Sequence, residues 1–100
     1  MYKNKNGDSN NIAGKNVRRI RLSKTPKMSQ NDLAIQLQNY GHDIHKNAIQ
    51  ELESGKRFVT DIELKALSEV LNTSVDELLY EESEYSMKNK KDSLLIAQKD

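Results

Sequence analysis

One hundred residues, 35% of them apolar and five aromatic, are enough for one small core and one domain. With no cysteine, the chain can form neither disulfides nor thiolate metal sites, which is compatible with a reducing cytoplasm. The formal charge of +1 hides a gradient: residues 1–28 carry eight Lys or Arg against Asp8 alone, and residues 59–86 carry eight Asp or Glu against Lys65 alone, so the basic end is suited to face phosphate.

Residues 1–10 are polar and lack the apolar stretch of a signal peptide. They are expected to form a mobile tail in which Lys3 and Lys5 do no more than stay solvated. Lys15, Arg18, Arg19, Arg21, Lys24 and Lys27 make a denser cationic signal. Period-two alternation is absent, β-branched residues are scattered and helix starts recur at short intervals, which predicts an all-α domain of five helices over residues 11–80.

The first helix is expected to start near Asn11, to bury Ala13, Val17 and Ile20, and to stop before Pro26. Ser29 reads as the N-cap of the second, with Asp32 at its third position and a staple from Met28 to Leu33. Leu33, Ala34, Leu37 and Tyr40 supply its apolar stripe, and Gly41 its stop. The third begins between Asp43 and His45, buries Ala48, Ile49 and Leu52, and ends at Gly55, which leaves Lys46, Asn47, Gln50 and Glu51 on its other face. Thr60 with Glu63 makes a capping box for a fourth helix, stapled by Val59 and Leu64, with Ile62, Ala66, Leu67, Val70 and Leu71 as its stripe. Ser74 with Glu77 opens a short fifth helix carrying Val75, Leu78 and Leu79.

Residues 81–100 form a polar tail, too charged to bury enough surface to offset its ordering entropy. Glu81, Glu82 and Glu84 read as a solvated linker. Leu94–Ala97, the longest purely apolar run, is either a frayed end or a strip for a dimer or a protein partner, and is too short to span a membrane. His42 and His45 make an H-x-x-H pair beside Asp43, but two loop histidines without a cysteine are expected to be bystanders, so no metal and no cofactor are implied. No glycine-rich phosphate loop, activated nucleophile or catalytic carboxylate pair is present, and enzymatic activity is not expected.

Four pieces in order carry a likeness to a known family: Val17-Arg-Arg-Ile-Arg21, Ser29-Gln-Asn-Asp-Leu-Ala34, Ala48-Ile-Gln-Glu-Leu-Glu-Ser-Gly-Lys56, and Leu67-Ser-Glu-Val-Leu-Asn72 with Val75-Asp-Glu-Leu-Leu79. Over roughly residues 12–80 the chain resembles the lambda-repressor-like, or Xre, helix-turn-helix domains. Ala34 suits a close crossing of the second and third helices. The resemblance implies base reading by Lys46, Asn47, Gln50 and Glu51. Glu51 can accept from cytosine N4 or simply be solvated. Phosphate binding is implied for Gln30, Arg19, Lys56 and Arg57, with backbone N–H groups of the Ser54–Arg57 loop also turned to the backbone. Arg19 and Glu53 fall where the family pairs the first helix with the third, the competing reading of Arg19 being a solvated cation. The connection from Gln38 to Ala48 is longer than the family's compact turn; the extra residues are expected to lengthen the second helix and to push Tyr40–His42 into a bulge.

The implied function is that of a cytoplasmic transcriptional regulator, a repressor binding double-stranded DNA as a homodimer at an inverted repeat. The alternative is an interaction module or antitoxin-like adaptor whose residues 81–100 bind a protein partner.

Overall fold

The computed structural model describes residues 7–80. Within them lie five helices and no strand: α1 (Gly14–Leu22), α2 (Gln30–Asn39), α3 (Lys46–Ser54), α4 (Asp61–Val70) and α5 (Val75–Leu79). The Leu94–Ala97 strip lies outside the described residues.

Polar side chains set the starts of α2, α4 and α5. At α2, Asp32 N–H donates to Ser29 Oγ (2.9 Å) while Ser29 N–H donates to the Asp32 carboxylate (3.0 Å). Thr60 and Glu63 form the same reciprocal box on α4. At α5 the box is only half made: Ser74 accepts from Glu77 N–H, but the Glu77 carboxylate accepts instead from the Thr73 hydroxyl (2.7 Å). α1 starts later than Asn11, with Ala13 at the N-cap; Asn11 still contributes, because its Oδ1 accepts from Gly14 N–H at 2.7 Å.

Left-handed residues set the stops of α2, α3 and α4: Gly41 (φ 90°), Gly55 (φ 85°) and Asn72 (φ 54°). Each allows the following N–H to bond five residues back, His42 to Leu37, Lys56 to Glu51 and Thr73 to Ser68, the Schellman arrangement. The stop at Gly41 ends α2 at Asn39, so the helix is not extended by the extra residues. Tyr40 does not join the apolar stripe; it is 54% exposed. The buried residue of the connection is Ile44, which periodicity could not find because it lies outside any helix. Gln38 Nε2 donates to the Ile44 carbonyl (3.0 Å) and so ties the loop back to α2.

The core joins Val17 and Ile20 of α1, Leu33, Ala34 and Leu37 of α2, Ile49 and Leu52 of α3, Ala66 and Leu67 of α4, and Leu71, Leu78 and Ile44. α3 packs between α1 and α2, α4 against α2, and α5 against both α1 and α4. Ile62, expected in the α4 stripe, is 67% exposed. It sits in the first turn of α4, and the buried length of the helix begins one turn later, at Ala66. Asn16 is a buried polar residue that the pattern did not single out: its Nδ2 donates to the carbonyls of Leu78 and Tyr80, both at 2.9 Å, and thereby holds the end of α5 on α1.

α1 approaches α3 closely. A Cβ built on Gly14 would lie 2.2 Å from the Leu52 carbonyl oxygen, a backbone atom with little freedom to retreat. Alanine is favoured over glycine in a helix by about 1 kcal/mol. Here the contact reverses that preference, and Gly14→Ala is expected to lower the midpoint of thermal unfolding, with a cost of about 1–3 kcal/mol from overpacking. An unchanged or raised midpoint would show that the two helices can separate freely.

Candidate nucleic-acid interface

The inward face of α3 consists of Ile49, Leu52 and Glu53, all buried. That orientation leaves Lys46, Asn47, Gln50 and Glu51 exposed on the outward face, in two successive turns. Between them they offer an ammonium, two amides and a carboxylate, which are donors and acceptors of the kind that match base edges in a major groove. α3 enters through His45, its N-cap, which is extended (φ −110°, ψ 174°). The His45 ring is held from two sides, by Gln38 Nε2 at Nδ1 (3.2 Å) and by Asp43 Oδ1 at Nε2 (2.7 Å). Among the described residues no group of three metal-ligating side chains gathers around it.

Glu53 braces the far end of α3. Its carboxylate accepts from Arg21 Nε (2.7 Å) and Nη2 (2.9 Å) and from Gln30 Nε2 (3.0 Å). Arg21 Nη1 donates in addition to the Met28 carbonyl (2.9 Å). The side chains of the pair are only 8% and 3% exposed. The expected partner, Arg19, is therefore replaced by Arg21. The reason is helical: residues two apart project about 200° apart, so with Val17, Ile20 and Arg21 facing inward, Arg19 must point to solvent. The sequence did hold a signal for Arg21, its i+4 spacing from the apolar Val17.

A helix-turn-helix family model matches residues 17–78, from the middle of α1 to α5. The chain belongs to the Xre, or lambda-repressor-like, helix-turn-helix family. Its members are DNA-binding regulators, and the four motif pieces fall within or across the matched span. No curated protein and no solved structure gives a significant match. Among the described residues no helix is long and apolar enough to cross a membrane.

In this helix-turn-helix domain the residues expected at phosphates are placed unequally. Lys56 is exposed at the α3–α4 turn. Arg57 is half-buried and its Nη2 donates to Glu63 (2.9 Å), so its guanidinium is engaged within the chain. The Gln30 amide is engaged with Glu53. The backbone N–H groups of Gly55, Lys56 and Arg57 were expected to face phosphate but turn back to the carbonyls of Leu52 and Glu51, because terminating α3 in a left-handed residue uses them. Arg19 stays exposed but lies on the side of α1 opposite Arg21.

Asp32 sits at the start of the helix that supports α3. Hydrogen bonds from the Ser29 backbone N–H, then from the Ser29 hydroxyl, hold its carboxyl below the ordinary value of 3.8. A carboxyl depressed on folding stabilises the folded state above its unfolded value and loses that contribution as pH falls through the lowered one. The stability advantage of the native protein over Asp32→Asn is therefore expected to be flat near neutrality and to shrink below about pH 3.8, read by urea unfolding across pH. A pH-independent difference would mean that the ionised carboxylate is not what caps α2.

Removing one partner of a buried pair strands the other, at a typical cost of about 3–5 kcal/mol. Arg21→Ala is therefore expected to be strongly destabilising, while Arg19→Ala should stay within about 0.5 kcal/mol of the native protein, the range for exposed substitutions. Equal effects in denaturant unfolding would contradict the Arg21–Glu53 brace.

Proposed function

We propose that the protein is a sequence-specific double-stranded DNA-binding transcriptional regulator, a cytoplasmic repressor that reads an inverted-repeat operator through α3. One observation carries this reading: the polar face of α3 is open while its opposite face is fixed by Ile49, Leu52 and the Glu53 brace. A helix held in this way can enter a major groove as a rigid reader, without first giving up the entropy of a mobile segment.

Lys46 suits guanine O6 and N7, Asn47 and Gln50 suit adenine, and Glu51 suits cytosine N4. Lys56 supplies nonspecific attraction. Arg19, Gln30 and Arg57 would contribute to phosphate binding only secondarily, given their intramolecular partners or orientation. Two copies with their α3 helices about 34 Å apart would meet successive major grooves on one side of the duplex. A homodimer through α4 and α5 belongs to the same reading, with Ile62 and Val75 as exposed apolar side chains on those helices.

The test is duplex titration at several salt concentrations, with the operator first selected from a random DNA pool. Asn47→Ala is expected to relax preference at one base pair by about 1–3 kcal/mol. Lys56→Ala is expected to weaken binding to all sequences alike and to reduce the slope of log affinity against log salt by about 0.9. If both changes lower specific and nonspecific binding equally, the division of roles is wrong. If the native protein shows weak, salt-independent binding, the interaction-module alternative gains.

A further inference from the structure

α3 starts without a cap from its own N-cap side chain. On α2, α4 and α5 that position is held by Ser29, Thr60 or Ser74, whose hydroxyl accepts from the N–H three residues on. His45 makes no such bond on α3. Histidine is not among the residues that favour an N-cap, so local helix stability does not account for it there.

The ring is turned instead toward α2. Gln38 Nε2 donates to the Ile44 carbonyl at 3.0 Å, and because a carbonyl can only accept, this bond fixes which end of the Gln38 amide faces the loop. The same nitrogen lies 3.2 Å from His45 Nδ1. Nδ1 must therefore accept, which places the ring hydrogen on Nε2, 2.7 Å from the Asp43 carboxylate. One tautomer satisfies both ring contacts. The Asp43 side chain is 95% exposed, so its contact adds little; Gln38 also holds the carbonyl of Ile44, whose side chain is in the core.

The two halves of the reading face are held differently. Gln50 and Glu51 lie in the part of α3 anchored by Ile49, Leu52 and Glu53. Lys46 and Asn47 are exposed and precede Ile49, the first buried residue of the helix. Their direction depends on the backbone at His45.

We infer that Gln38 and His45 are positioning residues for base reading: the bond between amide and ring sets the direction in which the first turn of α3 presents Lys46 and Asn47. This rests on the DNA-binding reading and deepens it, assigning a share of specificity to residues that need touch no base. A displaced Asn47 loses part of a bidentate contact, whereas attraction between Lys56 and phosphate tolerates such a shift.

The experiment measures base-by-base preference of the full chain for the selected operator in His45→Ser and Gln38→Leu, together with salt-dependent affinity for random duplex and thermal unfolding. Serine supplies the missing local cap but cannot reach Gln38; leucine approximates the size of glutamine but cannot donate. The base pair read by the first turn is the one at which Asn47→Ala loses preference, and Gln50→Ala marks the one read a turn later. Both variants are expected to lose about three- to tenfold of the preference at the Asn47 base pair, the scale of one neutral hydrogen bond, and none at the Gln50 base pair. Affinity for random duplex and its salt slope should not change, and the thermal midpoint of His45→Ser should be unchanged or raised. Since both substitutions cut the same bond, the double variant should be no worse than Gln38→Leu alone. Undiminished preference at the Asn47 base pair in either variant overturns the inference, as does an equal loss at both base pairs. A native protein with no salt-dependent duplex binding would mean that the DNA-binding reading had failed, and this inference with it.

Discussion

The carboxylate of Glu53 is the point through which the interface is held together. It joins α3 to α1 through both nitrogens of an Arg21 fork and to the first turn of α2 through Gln30. Arg21 in turn reaches the Met28 carbonyl, just ahead of the α2 cap. A buried ion pair is poor evidence for net stability, because desolvating two charges offsets most of their attraction. Its consequence here is directional. A forked guanidinium accepts few geometries, and Leu52 or Ile49 alone would let α3 roll or slide on its neighbours. With Glu53 fixed, the opposite face of α3 has one orientation.

The same economy appears where helices end. Gly41, Gly55 and Asn72 adopt left-handed backbone, and the following N–H groups close on carbonyls of the preceding turn. At the α3–α4 turn this uses N–H groups that would otherwise be available to an anion. What remains outward at that turn is the Lys56 ammonium, a long-range and geometrically tolerant attraction. The carbonyls of the same turn are taken by Asn10 and Asn11. The backbone groups of the turn are therefore engaged within the chain, and what the turn offers to the outside is side-chain charge.

Glu63 joins stability to placement in a similar way. It closes the capping box of α4 and holds Arg57, so a cation beside the candidate interface is drawn into the domain. Arg57 and Lys56 are neighbours in sequence and both basic, yet one is half-buried and paired while the other is exposed. Their difference comes from which of them faces α4.

Local chemistry was legible in the amino-acid string wherever a signal and its effect lie within one turn. Ser29 with Asp32, Thr60 with Glu63, and glycines 41 and 55 marked their boundaries, since caps and left-handed stops act on backbone groups three to five residues away. The apolar spacing of Leu33, Leu37, Ile49, Leu52 and Leu67 likewise announced a helical core. Pairings across the fold were not legible. That Arg21 and not Arg19 meets Glu53, that Ile44 enters the core from a loop while Ile62 leaves it, and that Asn11, Gly14 and Asn16 join α1 to α3 and α5 were settled by how the helices pack. Groups 32 to 64 positions apart meet only once the crossing of the helices is set, and that crossing follows from close packing of the whole core.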